Sequence, residues 1–374
     1  ARITVLFSAQ QFIIAILHYF VKAQLLRFRP WRADFLRLSN AGAGGRILSE
    51  RMGEIAVQNL IFSLNATLPV FLTMVAGGLL QRWGFLPKEF CRAADKLTFK
   101  VTLPVMLFLN MSSVDIYHDF QPKFVLFCFA ATLIGILVIW GAARVLVRDK
   151  AIVGEFVQVC YRSSAAILGT AFLQSIYGTA EMSSMMILGS VPLYNVMAVV
   201  ILMLEGPEAA QAGSMTAKLK KSVKGILTNP TLLGIAAGFA WSLLGLPMPT
   251  MAGKTLSSIA SLTSPLALLA IGAGFKGRKA LGYLRPTAVA TAVKLMALPA
   301  LFLPVAVHLG FTDEKLVALL VMLGSIATPS CYVMAKQMGH EGVLTGSVCV
   351  TTTLFSAFSL TFWLFLLRSM GCIA

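Results

Sequence analysis

From residue 52 onward the chain is a succession of ten apolar stretches, near 57–80, 95–114, 123–143, 156–177, 182–204, 227–246, 255–275, 286–308, 315–337 and 343–367. Each is close to the roughly 20 residues that an α-helix needs to cross the hydrocarbon core of a bilayer. No water is present there to satisfy backbone N–H and C=O groups, so such a chain crosses as helices and not as coil or open sheet. Composition agrees: 57% of the 374 residues are hydrophobic and 12% are charged, where a soluble domain carries about 25% charge. The expected fold class is an all-α polytopic membrane protein with ten transmembrane helices.

The formal net charge of +16 does not point to nucleic acid, because the basic residues sit between the apolar stretches. Lys88, Arg92 and Lys96 follow the first, Arg144, Arg148 and Lys150 the third, Lys218, Lys220, Lys221 and Lys224 the fifth, and Arg278, Lys279 and Arg285 the seventh. The alternate loops hold Asp115, Asp119, Glu181, Asp313 and Glu314. Positive loops stay on the cytoplasmic side, so both ends of the ten-helix unit are expected outside the cell inner (plasma) membrane. Residues 1–51 conflict with that topology. They carry eight basic residues between Arg2 and Arg51 and no Met before Met52, and are read as an N-terminal extension that is non-native or disordered. The apolar run Val5–Val21 within them also has the look of a signal-like segment or one extra helix.

The remainder repeats. Shifting the sequence by 161 places Pro69 on Pro230, Gly77 on Gly238, Gly84 on Gly245, Pro104 on Pro265 and Gly178 on Gly339. This divides the chain into five-helix repeats at 52–213 and 214–374. An odd number of crossings per repeat makes the two copies enter the membrane from opposite sides, which is the inverted-repeat plan of secondary transporters. The joining segment Glu205–Lys224 reads as a cytosolic amphipathic lead-in.

Two spans carry small polar residues where a lipid-facing helix would carry Leu or Ile: Tyr161–Gly178, YRSSAAILGTAFLQSIYG, and Gly324–Gly339, GSIATPSCYVMAKQMG. Such residues occur where an intramembrane helix is broken and its freed backbone faces a cavity. A half-helix N-terminus offers unpaired N–H groups and a partial positive charge, suited to a carboxylate. The candidate substrate-binding residues are Ser163, Ser164 and Gly169 in the first break, and Thr328, Pro329, Ser330 and Cys331 in the second. Pro329 is the clearest breaker, since it lacks a backbone donor. The competing account is a plain kinked helix whose hydroxyls bond back to its own backbone. Asn195 adds an amide inside the fifth span, for substrate or for helix pairing. Arg162 and Lys294 are cations beside or inside spans. Each reads as an anion-attracting charge, or respectively as a topology signal and a side chain snorkelling to the cytosolic face.

No Asp or Glu falls clearly inside a span, no phosphate-binding Gly-Lys-Ser/Thr loop occurs, and His340-Glu341 lacks the second His of a zinc helix. No nucleophile–base pair appears either, so an enzyme, a metal site and a cofactor are not expected. The six cysteines are scattered without metal-type or disulfide-type spacing.

From about Gly53 to Arg368 the sequence resembles the auxin efflux carrier family of bacteria and plants, which includes bacterial malate- or malonate-permease-type carriers. The resemblance runs through LPVFLTMVAGGLLQRWGFLP, LPVMLF, GTAFLQSIYG, VPLYNVMAVV, NPTLLGIAAG, SPLALLAIGAG, TPSCYVMAKQMG and TTTLFSAFSL, in that order. It implies two inverted five-helix repeats, with spans four and nine crossing as broken helices in a transport domain that moves against a scaffold. The chain departs from the family at the breaks, where Ser164, Ala171 and Ser330 stand in place of an Asn, a Pro and an Asn.

The expected function is a secondary carrier or permease of a small organic anion, such as a dicarboxylate or an auxin-like carboxylate, working by alternating access. A sodium-coupled bile-acid-type symporter and a non-transporting membrane anion sensor are the alternatives. The expected partners are the organic anion and the lipid bilayer, with a homodimer left open and nucleic acid excluded.

Overall fold

The structure, a computed structural model, describes residues 42–114, 121–179, 181–206, 225, 228–275 and 277–373, with side chains from Val57 onward. The chain divides into two units, Ala1–Phe62 and Ser63–Ala374. The first is helical from Gly42. The extension expected at 1–51 lies outside the described residues up to residue 41, as does the joining segment beyond Gly206.

Among the described residues, six helices are long and apolar enough to cross a membrane: Val57–Arg82, Pro122–Leu146, Glu181–Leu204, Thr250–Gly274, Leu284–His308 and Val343–Ser369. They coincide with six of the ten expected spans. The other four depart from that pattern for physical reasons. The second span carries charge from Lys88 to Lys100 and is assembled from Lys88–Leu97, a π turn Thr98–Thr102 and Leu103–Ser112. The sixth is the 14-residue helix Pro230–Leu243, opened by Asn229, whose side chain accepts from Thr231 N. The fourth and ninth are interrupted, as their small polar residues suggest.

In chain order the helices used below are α1 (Gly42–Arg82), α2 (Lys88–Leu97), α3 (Leu103–Ser112), α4 (Pro122–Leu146), α5 (Val153–Tyr161), α6 (Thr170–Tyr177), α7 (Glu181–Leu204), α8 (Pro230–Leu243), α9 (Thr250–Ser261), α10 (Thr263–Gly274), α11 (Leu284–Ala292), α12 (Leu298–His308), α13 (Asp313–Gly324), α14 (Ser330–Gln337) and α15 (Val343–Ser369).

Two packing styles divide the second unit. Around α1, α3, α8 and α10 the helices touch through glycine. A Cβ at Gly77 would strike the Leu269 backbone, and one at Gly272 the Met74 carbonyl. Likewise Gly234 and Gly238 lie against the Pro104 and Phe108 carbonyls. Missing side chains let backbones meet, as small residues do between membrane helices. The contact Gly77–Leu269 becomes Gly238–Phe108 under the shift of 161. The turn glycines repeat too: Gly84 and Gly245 have φ of 83° and 61°, and Gly178 and Gly339 have 74° and 86°. Only glycine adopts that backbone cheaply, which explains why these positions stand out in the sequence.

The other style surrounds α13, which is buried at every residue from Leu316 to Gly324. A helix that is apolar all round belongs at the centre of a bundle, and α13 packs on α6, α7, α12 and α15. Here polar side chains tie the elements. Buried Glu155 of α5 accepts from Gly342 N (2.8 Å), Thr345 N (3.0 Å) and Thr345 Oγ1 (2.8 Å), capping α15 from outside. The π turn Val293–Ala297 between α11 and α12 leaves the Leu295 carbonyl for Trp363 Nε1 at 3.0 Å.

Candidate functional site

The first interruption follows Tyr161. Arg162 turns to extended backbone (φ −73°, ψ 118°), and a π turn Ala165–Gly169 then leads into α6. The second follows Gly324. Ser325 is extended (φ −85°, ψ 179°) and Pro329 restarts the helix as the residue before α14. The two gaps pair with each other through an antiparallel bridge between Ser163 and Ala327 and a bond from Ser164 N to the Ile326 carbonyl at 3.0 Å. Ala327 N in turn donates to Thr352 Oγ1 of α15 at 3.1 Å. Backbone groups that each helix gives up are thereby taken by protein, as non-helical backbone inside a bilayer would require.

A pocket opens beside this bridge, with about 520 Å³ of empty space that is partly continuous with the outside. One wall is the paired gaps and α7: Arg162, Ser163, Ser164, Asn195, Thr328, Pro329 and Ser330. The opposite wall is α3 with the start of α10, through Leu103, Leu107, Asn110, Thr263 and Ser264. Ala165, Ala166 and Ile167 also line it, so residues at the starts of both half-helices border this space.

Charge is concentrated here. Arg162 is buried at 3% exposure. Its Nη2 donates to Asn195 Oδ1 at 2.9 Å and Ser330 Oγ at 3.1 Å, and Nη1 lies on Met334 Sδ. Its Nε has no partner among the described residues. Asn195 is oriented for this by donating its Nδ2 to the Val191 carbonyl one turn back. Lys294, with 0% exposure, donates from Nζ to Ser163 Oγ at 2.7 Å and to the Tyr161 carbonyl at 3.4 Å. Lys294 thus reaches the first break and does not snorkel. Among the described residues the ion pairs are Arg144–Glu205 and Lys279–Glu341, so neither buried cation is matched by a carboxylate. Removing an ion from water costs several kcal/mol even after relaxation. Neutral acceptors return part of that, about 1.5–3 kcal/mol per bond to a charged group.

Seven of the ten residues singled out from the sequence line the pocket. Lys294 stands behind Ser163. Gly169 lies against Met186 and Ser183 of α7, where it brings the π turn close to that helix. Cys331 is buried, and its carbonyl accepts from Gln158 Nε2 at 2.9 Å. Asn110, Tyr194 and Thr263 line the pocket without having been singled out. The spacing Leu103, Met106, Leu107, Asn110 marks one helix face, and that pattern was the available signal for Asn110. Tyr194 is fixed by donating to the Met322 carbonyl at 3.0 Å while its own carbonyl accepts from Tyr161 OH at 3.1 Å.

No curated protein matches the chain. A family model described as Membrane transport protein matches residues 62–364, a stretch that takes in both breaks, both cations and every helix from α2 to most of α15. The chain therefore belongs to this membrane transport family, that of the auxin efflux carriers, and is a membrane transporter.

Proposed function

We propose that the chain is a secondary carrier of a small organic anion, and that the anion's carboxylate sits between the paired breaks. The observation that carries this is the pair of buried, carboxylate-free cations, Arg162 and Lys294, beside two half-helix N-termini. A bound anion supplies the missing counter-charge, and Arg162 Nε and the hydroxyls of Ser163, Ser164 and Ser330 are the groups that would meet it. Neutral substrates would leave both charges unmatched.

Ten membrane crossings in two inverted five-helix repeats fit this function, with α5–α6 and α13–α14 as the fourth and ninth. The repeated glycine contacts and turn glycines support that plan, as does the antiparallel meeting of the breaks. On this reading the glycine-packed helices are the scaffold, and the bundle around α13 moves against them to alternate access. Both ends of the ten-helix unit then lie outside, with the inner membrane of the cell as the location.

The test is counterflow of labelled malonate, malate and indole-acetate in proteoliposomes. Saturable exchange of one of them is expected, reduced by Ser164→Ala, Pro329→Ala or Asn195→Ala. If all three variants exchange like the parent, the substrate binds elsewhere. Saturable binding with no flux would make the protein an anion sensor.

A further inference from the structure

A line of polar groups without partners runs along the second span, and its buried Asp95 corrects the expectation that no acidic residue falls inside a span. Asp95, Thr98 and Thr102 are exposed at 6%, 0% and 1%. Asp95 Oδ1 and both hydroxyls lack a hydrogen-bond partner among the described residues. Three residues of α-helix separate the first two, and the π turn Thr98–Thr102 separates the second two, so all three share one face. Thr263, at the start of α10 and 2% exposed, also has an unpartnered hydroxyl. Thr263 lines the pocket, and so does Leu103, the residue after Thr102. The line therefore begins at Asp95, among Arg92 and Lys96, and ends at the substrate pocket.

Ordinary helix chemistry does not account for it. Several helical threonines of this protein, Thr67, Thr73, Thr170, Thr352 and Thr353, return the hydroxyl to the carbonyl four residues back, whereas Thr132 and Thr287 are isolated positions that, like Thr98 and Thr102, have no partner among the described residues. Thr98 and Thr102 keep theirs free. A buried polar group left so forfeits its hydration, and interiors usually resolve this with ordered water. Asp95 to Thr102 covers about 10 Å along the helix. That is too long for one cation, whose oxygen ligands lie at about 2.5 Å, and it suits a short file of water.

We propose that this line is a hydrated proton path between the Arg92–Lys96 end of the second span and the pocket, with Asp95 as the group that takes up and releases the proton. Its coupling to flux rests on the carrier reading above, whereas protonation of Asp95 does not. From α14, Lys336 and Tyr332 face Asp95, and from its own helix Cys91 does. The packed face of α10 brings no ionisable residue, and Lys100 of the π turn is exposed. Lys336 Nζ contacts the Glu341 carbonyl at 3.4 Å. It lies on the helix that would move, while Asp95 lies on the scaffold. A slide that brings Lys336 to Asp95 favours the carboxylate, and one that withdraws it favours the neutral acid. One proton is then bound in one state and released in the other.

Two measurements decide it. Dicyclohexylcarbodiimide attacks protonated buried carboxyls, so reconstituted protein should be labelled at Asp95, located by mass spectrometry of peptides. Labelling should fall at least about tenfold between about pH 5 and 8 and vanish from that peptide in Asp95→Asn. Absent or pH-independent labelling at Asp95 overturns the proposal, and this arm needs no substrate. In the second arm, malonate accumulation driven by an imposed pH gradient should fall at least about tenfold in Asp95→Asn, while malonate exchange without a gradient persists. Thr98→Val/Thr102→Val should slow the gradient-driven uptake and leave labelling of Asp95 intact. Gradient-driven uptake by Asp95→Asn at the parent rate refutes the path. Parent protein that neither binds nor exchanges malonate counts against the substrate assignment, and the labelling result then decides Asp95 alone.

Discussion

At Ser325–Pro329 the chain leaves its helix by backbone means: an extended serine, then a proline that lacks a donor and restarts the helix as α14. At Arg162–Ser164 there is no proline, and side chains hold the opening. Lys294 bonds both Ser163 and the Tyr161 carbonyl, and Arg162 reaches across to Ser330 and Asn195. A proline thus marks the end of the second gap, which also shares backbone pairing with the first, and two charges without a carboxylate hold the first. The difference assigns the work. On the carrier reading proposed above, the charges give the pocket a reason to bind an anion.

If that division is right, the largest effect comes from the charge that touches the pocket. Arg162→Gln should lower malonate exchange about 100-fold or more, because removing one side of a buried, hydrogen-bonded charge pair costs about 2–5 kcal/mol. Concentration dependence of counterflow measures it. A loss under about threefold would mean that Arg162 only ties α5 to α7 and α14.

The glycine-packed helices supply a contrast of another kind. Gly272→Leu has to place a side chain where the Met74 carbonyl stands. Overpacking usually costs about 1–3 kcal/mol and more when backbone must move. The expected result is a lower melting temperature and aggregation on size exclusion, where Arg162→Gln stays monodisperse. Equal melting temperatures for the two would remove the distinction between scaffold and site.

Lys294 separates stability from function within one residue. Its ammonium is buried without a counter-ion, so Lys294→Met removes a desolvated charge at nearly constant volume. Such replacements are often neutral or stabilising by about 1–4 kcal/mol. Malonate affinity should nonetheless drop about tenfold, since the field at Ser163 is weaker. Thermal stability that falls together with affinity would mean that Lys294 is chiefly a strut for the first break.

How much of this was readable in the sequence follows from what each signal measures. Apolar length gave six spans directly, and small polar residues gave the two interruptions, because both are local properties of the chain. Pro329 was the easiest residue to place, since its chemistry acts on its own backbone. The glycine matches at a shift of 161 were visible because turns such as Gly84 and Gly245 require positive φ. Arg162 and Lys294 were ambiguous: a basic residue near a span end serves topology as readily as binding, and only the fold shows that both turn inward. The face Leu103, Met106, Leu107, Asn110 was legible as a pattern, but nothing local joins it to Thr263, because the two elements are about 150 residues apart and meet only through packing.

Pro329→Ala should have the smallest effect of the set, less than about threefold on exchange. The alanine restores a backbone N–H and lets the chain re-enter a helix, yet the gap has other restraints. Ala327 remains paired with Ser163 and bonded to Thr352, and Ser164 N still holds the Ile326 carbonyl. Closing the second gap would therefore have to undo the first. Combining Pro329→Ala with Ser163→Ala, which also removes the Lys294 contact, should cost more than the two separate losses predict, because the residues share one network. Strict additivity would mean that the two breaks are stabilised independently, and the pairing between them would then be a consequence of the pocket and not its cause.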